Sequence, residues 1–93
     1  MVRTPRPRPI DLVVPWPDGS ASEAAGTAAA TFVRALNSAI DGRSIRSVAA
    51  ACGVNHQTIR GVLAGEVWPD MYTVARLEEG LNARLWRSPT EAP

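Results

Sequence analysis

Five polar side chains that could read nucleic acid bases or phosphates stand close together near the middle of the chain. They are Asn55, His56, Gln57, Thr58 and Arg60. Glutamine pairs bidentately with adenine and arginine with guanine, and histidine can donate to or accept from a base edge or a phosphate. No acid, which a phosphate would repel, occurs between residues 42 and 65. These residue types therefore suit contact with the edges of DNA base pairs.

Two short helices are predicted to position these side chains. Ser44 is the expected N-cap of a helix from Ile45 to Cys52, and Asn55 is the expected N-cap of a helix that reaches about Ala64. Only three residues join the two helices, and Gly53 can take the left-handed conformation that ends the earlier one. A tight glycine-containing turn between two short helices is typical of a helix-turn-helix.

The later helix is expected to turn its first residues toward solvent, because its apolar residues, Ile59, Val62 and Leu63, share the inner face. The helix N-terminus and Asn55 would then offer backbone N–H groups to phosphate oxygens, and Ser44 could do the same for the earlier helix.

Arginines near the turn are the other predicted phosphate contacts. Arg43 and Arg46 flank the start of the earlier helix, where they would contact phosphate or simply be solvated. Arg60 would contact a phosphate or a base, and an intramolecular salt bridge is the competing interpretation. All ten cations of the chain are arginine, a residue suited to bidentate phosphate and guanine contacts.

Composition shifts divide the chain into four parts. Residues 1–9 are Arg/Pro-rich and predict a disordered basic arm that reaches phosphate or the minor groove, or else a solubilising tail; its cations are Arg3, Arg6 and Arg8. Residues 10–19 contain Pro15 and Pro17 and are expected to be extended. A helix-turn-helix domain is predicted over residues 20–86, and a disordered tail over residues 87–93.

Two more helices and a ribbon are predicted around the turn. The capping-box pattern from Ser20 to Glu23 predicts a helix from there to about Ile40, and Asp70 is the expected N-cap of the last helix. Residues 10–14 and 83–86 have strand character and could pair as a two-stranded ribbon. Pairing within one chain and pairing between two chains, which would make a homodimer, fit the sequence equally well.

Composition excludes several classes of function. The 93 residues carry a net charge of +1, one histidine and one cysteine, Cys52, which is too few ligands for a zinc site and leaves no pair for an internal disulfide. No apolar run approaches a membrane span, and no apolar segment typical of a signal peptide follows the basic N-terminus, so we expect a cytoplasmic protein without a membrane partner. No carboxylate pair, nucleophile–base pair, phosphate loop or metal set is apparent, which predicts a non-enzyme without a cofactor.

The segment GVNHQTIRGVLAG, from Gly53 to Gly65, resembles the helix-turn-helix of the phage-repressor/Cro-type (xenobiotic-response-element type) DNA-binding family. The resemblance continues without a gap from Ser44 to Leu81 and covers about half of the chain, from Arg43 to Leu85. It implies a lambda-repressor-like bundle of four to five helices.

The resemblance also assigns roles to residues and marks three departures. His56 and Gln57 match the base-reading start of the recognition helix, and Asn55 matches a phosphate-contacting cap. The departures stand at positions where many members have a phosphate-binding glutamine, another base-reading side chain and an asparagine; they are Ile45, Gly61 and Ala64. The set of contacts is therefore smaller than the family pattern.

The prediction is a mainly α, sequence-specific double-stranded DNA-binding transcriptional regulator, repressor-like and dimeric, at the bacterial nucleoid. The rival is an antitoxin or adaptor-type module that uses the same fold to bind a protein partner, which a net charge of +1 and the missing glutamine favour. A recombinase or transposase accessory factor would use the same DNA contacts.

Overall fold

Five helices follow one another along the part of the chain that the computed structural model describes, which is residues 6–90. They are α1 (Pro9–Leu12), α2 (Ala24–Ile40), α3 (Ile45–Cys52), α4 (His56–Leu63) and α5 (Met71–Leu81). A two-stranded antiparallel sheet of β1 (Val13–Val14) and β2 (Ser20–Ala21) lies between α1 and α2. Within those residues, no helix has both the length and the apolar character needed to cross a bilayer.

Side-chain caps fix where α3, α4 and α5 begin, and all three predicted caps are confirmed. Ser44 Oγ accepts a hydrogen bond from the N–H of Ser47 at 3.1 Å. Asn55 Oδ1 accepts from the N–H of Gln57 at 2.7 Å, and Asp70 Oδ1 accepts from the N–H of Thr73 at 2.8 Å. Each cap satisfies one of the N–H groups that a helix leaves unpaired at its start.

The main core lies where α2 meets α3, α4 and α5. Its fully buried large side chains come from all four helices and from the segment after α5: Phe32, Leu36, Val48, Ile59, Leu77 and Leu85. The apolar spacing of each helix thus places one stripe in a common interior. These contacts set the orientation of α4 relative to the rest of the chain.

The start of α2 differs from the prediction. Ser20 lies in β2, where it pairs with Val14, and the helix begins only at Ala24 after Glu23. Glu23 stands at the N-cap without a side-chain hydrogen bond, so the predicted capping box does not form. The sheet holds the backbone of residues 20 and 21 in the extended conformation, which overrides the local helix signal.

The predicted ribbon between the two ends of the chain does not form within the chain. Residues 10–12 belong to a turn of helix rather than to an extended segment, and β1 pairs with β2 instead. Residues 83–86 form no strand, because the carboxylate of Glu78 accepts the N–H groups of Leu85 at 2.7 Å and Trp86 at 3.0 Å.

The predicted arm, residues 1–9, is described only from Arg6 onward, so Arg3 lies outside the described residues. Within the described part, the indole N–H of Trp68 donates to the carbonyl oxygen of Pro7 at 2.9 Å. Arg8 forms an ion pair of 3.2 Å with Asp11, and Pro9 is buried. Residues 7–9 therefore lie against the fold.

Candidate nucleic-acid interface

The turn between α3 and α4 has the compact geometry that the sequence predicts. Gly53 lies in the left-handed region with φ at +66°, and its N–H and that of Val54 both donate to the carbonyl oxygen of Ala49, at 2.9 and 3.2 Å. A residue with a side chain would be strained in this conformation, which is why glycine occupies it. Because Val48 and Ile59 are both fully buried, the angle between the two helices is set by the core.

The first turn of α4 presents polar groups, as predicted, but to different degrees. Gln57 and Arg60 are exposed, whereas His56 and Thr58 are half-buried. Asn55 is exposed, and its side-chain oxygen holds the N–H of Gln57 at 2.7 Å, so that N–H is not available to a phosphate. Gln57 and Arg60 are therefore the side chains of this set with the greatest reach.

Arg43 differs from its predicted role, because its guanidinium closes the end of α2. Its Nε donates to the carbonyl oxygen of Ile40 at 3.2 Å, and its Nη2 donates to that of Ala39 at 3.0 Å. These bonds satisfy carbonyl groups that the helix leaves unpaired at its C-terminus. A phosphate contact by Arg43 would have to use its remaining N–H groups or break these bonds.

Arg46 on α3 and Arg60 on α4 are exposed cations. Neither guanidinium group makes a hydrogen bond or an ion pair with any other residue between positions 6 and 90. The salt bridge that competed with a phosphate contact for Arg60 is thus not formed within the described chain. An anion could approach both guanidinium groups without displacing an internal partner.

Arg76, on α5, is a cation near the turn that the sequence reasoning missed. Its Nη1 lies 3.1 Å from the point where a Cβ on Gly53 would stand. Tyr72 positions the guanidinium: its hydroxyl oxygen accepts from Nη2 at 2.6 Å and Nε at 3.0 Å, and the ring centroid is 5.1 Å from Cζ. The hydrogen bond to Tyr72 raises the pKa of Arg76 above its ordinary value. The i,i+4 spacing of Tyr72 and Arg76 predicts that these two side chains meet, but only the packing of α5 brings the Arg76 guanidinium beside Gly53.

Two of the three departures from the family pattern have an internal explanation. A Cβ on Gly61 would stand 3.2 Å from Cγ2 of Val67, so the loop after α4 packs closely over this position. Ile45 is half-buried and packs against the main core, which suits an isoleucine better than a glutamine. Ala64 is exposed at the end of α4, and nothing in the structure explains its alanine.

The N-terminal segment anchors the other end of α4, a contact with no local signal in the sequence. The indole N–H of Trp16 donates to the carbonyl oxygen of Leu63 at 2.8 Å, and the N–H of Ile10 donates to that of Gly65 at 2.9 Å. These donors satisfy backbone carbonyls at the C-terminus of α4. The helix is therefore held at both ends, by Asn55 at its start and by the N-terminal segment at its end.

Cys52 has a place in the core rather than at the interface. It is buried between α3 and α5, and burial raises the pKa of its thiol. Between residues 6 and 90, no three histidine, cysteine, aspartate or glutamate side chains lie together in a group that could hold a metal ion. The groups that the interface offers are hydrogen-bond donors and acceptors together with positive charge.

No protein-family model, no curated protein and no solved structure matches the chain.

Proposed function

We propose that the chain is a lambda-repressor-like, sequence-specific regulator that binds double-stranded DNA by inserting α4 into the major groove. The observation that carries this proposal is the first turn of α4: it is capped by Asn55, anchored by buried Ile59, and presents amide, imidazole and guanidinium groups with no acid among them. A major groove about 12 Å wide accepts one α-helix, and its base edges offer the acceptors and donors that such groups recognise.

Each exposed side chain has a proposed role. Gln57 pairs with an adenine edge and Arg60 with guanine or a phosphate, while half-buried His56 contacts a base or a phosphate at the groove wall. Arg46 and Arg76 contact phosphates on either side of the turn. The mechanism is binding without catalysis or cofactor, in the bacterial cytoplasm.

The dependence of binding on salt tests the phosphate contacts. Arg46 and Arg76 on phosphate predict that the logarithm of the binding constant falls with the logarithm of salt concentration at a slope of about −2 per bound chain, or about −3 if Arg60 binds a phosphate rather than guanine. Replacing Arg46 with alanine should weaken binding to all sequences alike and reduce the slope by about 1. Fluorescence anisotropy at several salt concentrations measures both quantities.

Sequence preference tests the base contacts. Selection of bound fragments from genomic DNA should give a motif for the parent chain, and the double variant His56→Ala, Gln57→Ala should lose that motif while keeping salt-dependent binding. A matched control changes two exposed polar residues of α2, Asn37→Ala with Ser38→Ala, and should keep the motif. A double variant of His56 and Gln57 as selective as the parent would overturn the proposed readout.

The rival function is an antitoxin or adaptor that binds another protein through the same fold. A net charge of only +1 and apolar Ile45 at the start of α3 favour it. That rival predicts no retardation of genomic fragments at low or high salt, whereas the DNA-binding proposal predicts retardation that weakens steeply with salt.

A further inference from the structure

An apolar groove of about 550 Å³ opens between α2 and α5, on residues that the proposed function does not use. Each helix lines it with four side chains at i, i+3, i+4 and i+7, which share one helical face: Ala25, Ala28, Ala29 and Phe32 of α2, and Met71, Val74, Ala75 and Glu78 of α5. Trp68 and Trp86 also line the groove. None of the lining residues belongs to α3 or α4, so a molecule in the groove and DNA on α4 would not compete for the same side chains.

The size and the walls of the groove suit a small organic molecule. Small-molecule sites have volumes of about 300–1,000 Å³, mostly apolar walls and a few polar groups that fix orientation. Phe32, Trp68 and Trp86 are aromatic, and aromatic rings pack on one another in offset or edge-to-face contacts. Met71, which is 88% exposed, adds a flexible thioether that makes favourable contacts with ring edges. A planar aromatic ring system is therefore the apolar body that fits these walls.

The charged groups of the groove select an anion rather than a cation. Arg6 lines the groove and is exposed, and its guanidinium makes no hydrogen bond or ion pair with any residue between positions 6 and 90. Glu78 carries the opposite charge, but its Oε2 already accepts the N–H groups of Leu85 at 2.7 Å and Trp86 at 3.0 Å. A carboxylate can form a charge-assisted, bidentate pair with the guanidinium, whereas an ammonium group would have to share an acceptor that is in use.

Glu23 is the internal competitor for Arg6. The two residues line an adjoining cleft of about 250 Å³ together with Trp68, yet they form no ion pair within the described part of the chain. The carbonyl oxygen of Pro7 accepts a hydrogen bond from the indole of Trp68 at 2.9 Å. This bond fixes the backbone next to Arg6 beside the apolar walls, so the guanidinium is within reach of an anion in the groove.

We propose that the groove between α2 and α5 binds a small aromatic carboxylate, with its acid group on Arg6 and two or three fused rings against the apolar walls. The negative charge of Glu78 repels the acid group, so the acid lies at the Arg6 end of the groove. A ligand of about a dozen non-hydrogen atoms at such an open site should bind with a dissociation constant on the order of 0.1–1 mM.

Three naphthalene probes with their substituent at the same ring position test the charge selectivity. In NMR titrations without DNA, naphthoate should bind about threefold tighter or more than naphthalenemethanol, and the alcohol should bind tighter than the naphthalenemethylammonium ion. Arg6→Gln should bring naphthoate and the alcohol to about the same affinity. The matched control is Arg34→Gln, which removes the same charge at an exposed residue outside the groove and should preserve the difference.

The indole N–H signals of the three tryptophans locate the site. Naphthoate should shift the signals of Trp68 and Trp86, which line the groove, and leave that of Trp16, which is bonded to Leu63. Ala25→Trp should fill the groove and weaken binding about tenfold or more. Ala24→Trp, also exposed and in the same turn of α2 but outside the groove, should stay within about twofold of the parent.

Several outcomes would overturn the proposal. They are the absence of any shift at about 5 mM naphthoate, equal affinity for the three probes, tighter binding of the ammonium ion, and a shift of Trp16 as large as those of Trp68 and Trp86. Shifts of Trp68 and Trp86 that follow the concentration of the chain and not that of the probe would assign the groove to a second copy and would also overturn it. Because no DNA is present, these outcomes are separate from the failure of DNA binding.

Discussion

Replacing Gly65 with alanine should destabilise the chain much more than the same change at a glycine with similar backbone geometry. Gly65 has φ at +73°, where a residue with a Cβ is strained by about 1–2 kcal/mol. Its Cβ would also stand 2.8 Å from Cε2 of Trp16 and 2.9 Å from Cβ of Ile10. Both neighbours are held by hydrogen bonds to the end of α4, at Leu63 and Gly65, so they cannot move away without loss.

The expected loss for Gly65→Ala is about 3 kcal/mol, the backbone strain plus about 1–3 kcal/mol for overpacking. Gly42 is the control, because its φ is +79° but a Cβ there would meet nothing within 4 Å. Gly42→Ala should therefore cost only about 1 kcal/mol, the backbone strain less the entropy removed from the unfolded chain. Urea unfolding of both variants gives the two free energies. If the costs agree within about 0.5 kcal/mol, the N-terminal segment does not pack on the end of α4 as described.

Three further outcomes are expected. Glu78→Gln should lower the free energy of unfolding by about 1–2 kcal/mol at pH 7, because a charged acceptor for the N–H groups of Leu85 and Trp86 is lost at a half-buried site. The fold lowers the pKa of Glu78, so the stability that its carboxylate contributes is fully present above the ordinary pKa of glutamate and is lost as the pH falls through the lowered pKa. Urea unfolding between about pH 7 and pH 3 should therefore show the free energies of parent and variant converging. Asn55→Ala should cost about 1 kcal/mol in the same assay through loss of the cap, whereas Asn55→Ser should recover most of it. Cys52 should react with a thiol reagent only as fast as the fold opens, because it is buried and its pKa is raised; the rate should rise in step with urea, and a rate equal to that of a small thiol would contradict its burial.

The helices around the turn could be predicted from the sequence because their boundaries depend on neighbouring residues. Ser44, Asn55 and Asp70 each accept a hydrogen bond from an N–H two or three residues later, and Gly53 ends α3 in the left-handed conformation. Such contacts are local, so their signal is complete within a few positions. The apolar spacing of α4 predicted the burial of Ile59 and Val62 for the same reason.

The N-terminal part could not be predicted because its partners lie far away along the chain. Trp16 bonds to Leu63, 47 positions later, and Trp68 bonds to Pro7, 61 positions earlier. The Ser20–Glu23 pattern is a real local signal, but pairing with β1 overrides it. The spacing of residues along the chain does not predict which distant carbonyl oxygen accepts a hydrogen bond from an indole.

In the candidate interface, too, the features that depend on neighbouring residues were predicted and those that depend on distant residues were not. The exposure of Gln57 and Arg60 follows from helix spacing and was predicted. The diversion of Arg43 to the end of α2 depends on where that helix stops, and the approach of Arg76 to Gly53 depends on how α5 packs on α3. Neither contact can be predicted from the spacing of the residues around the turn.

The contacts of Trp16 and Ile10 with the end of α4 impose an order on synthesis of the chain. A ribosome makes residues 9–16 well before their acceptors, because Leu63 follows Trp16 by 47 positions. Until then the indole N–H of Trp16 lacks its acceptor, although the ring can already pack against Leu12, Val13 and Ala30. These contacts therefore form only after α2, α3 and α4 have been synthesised.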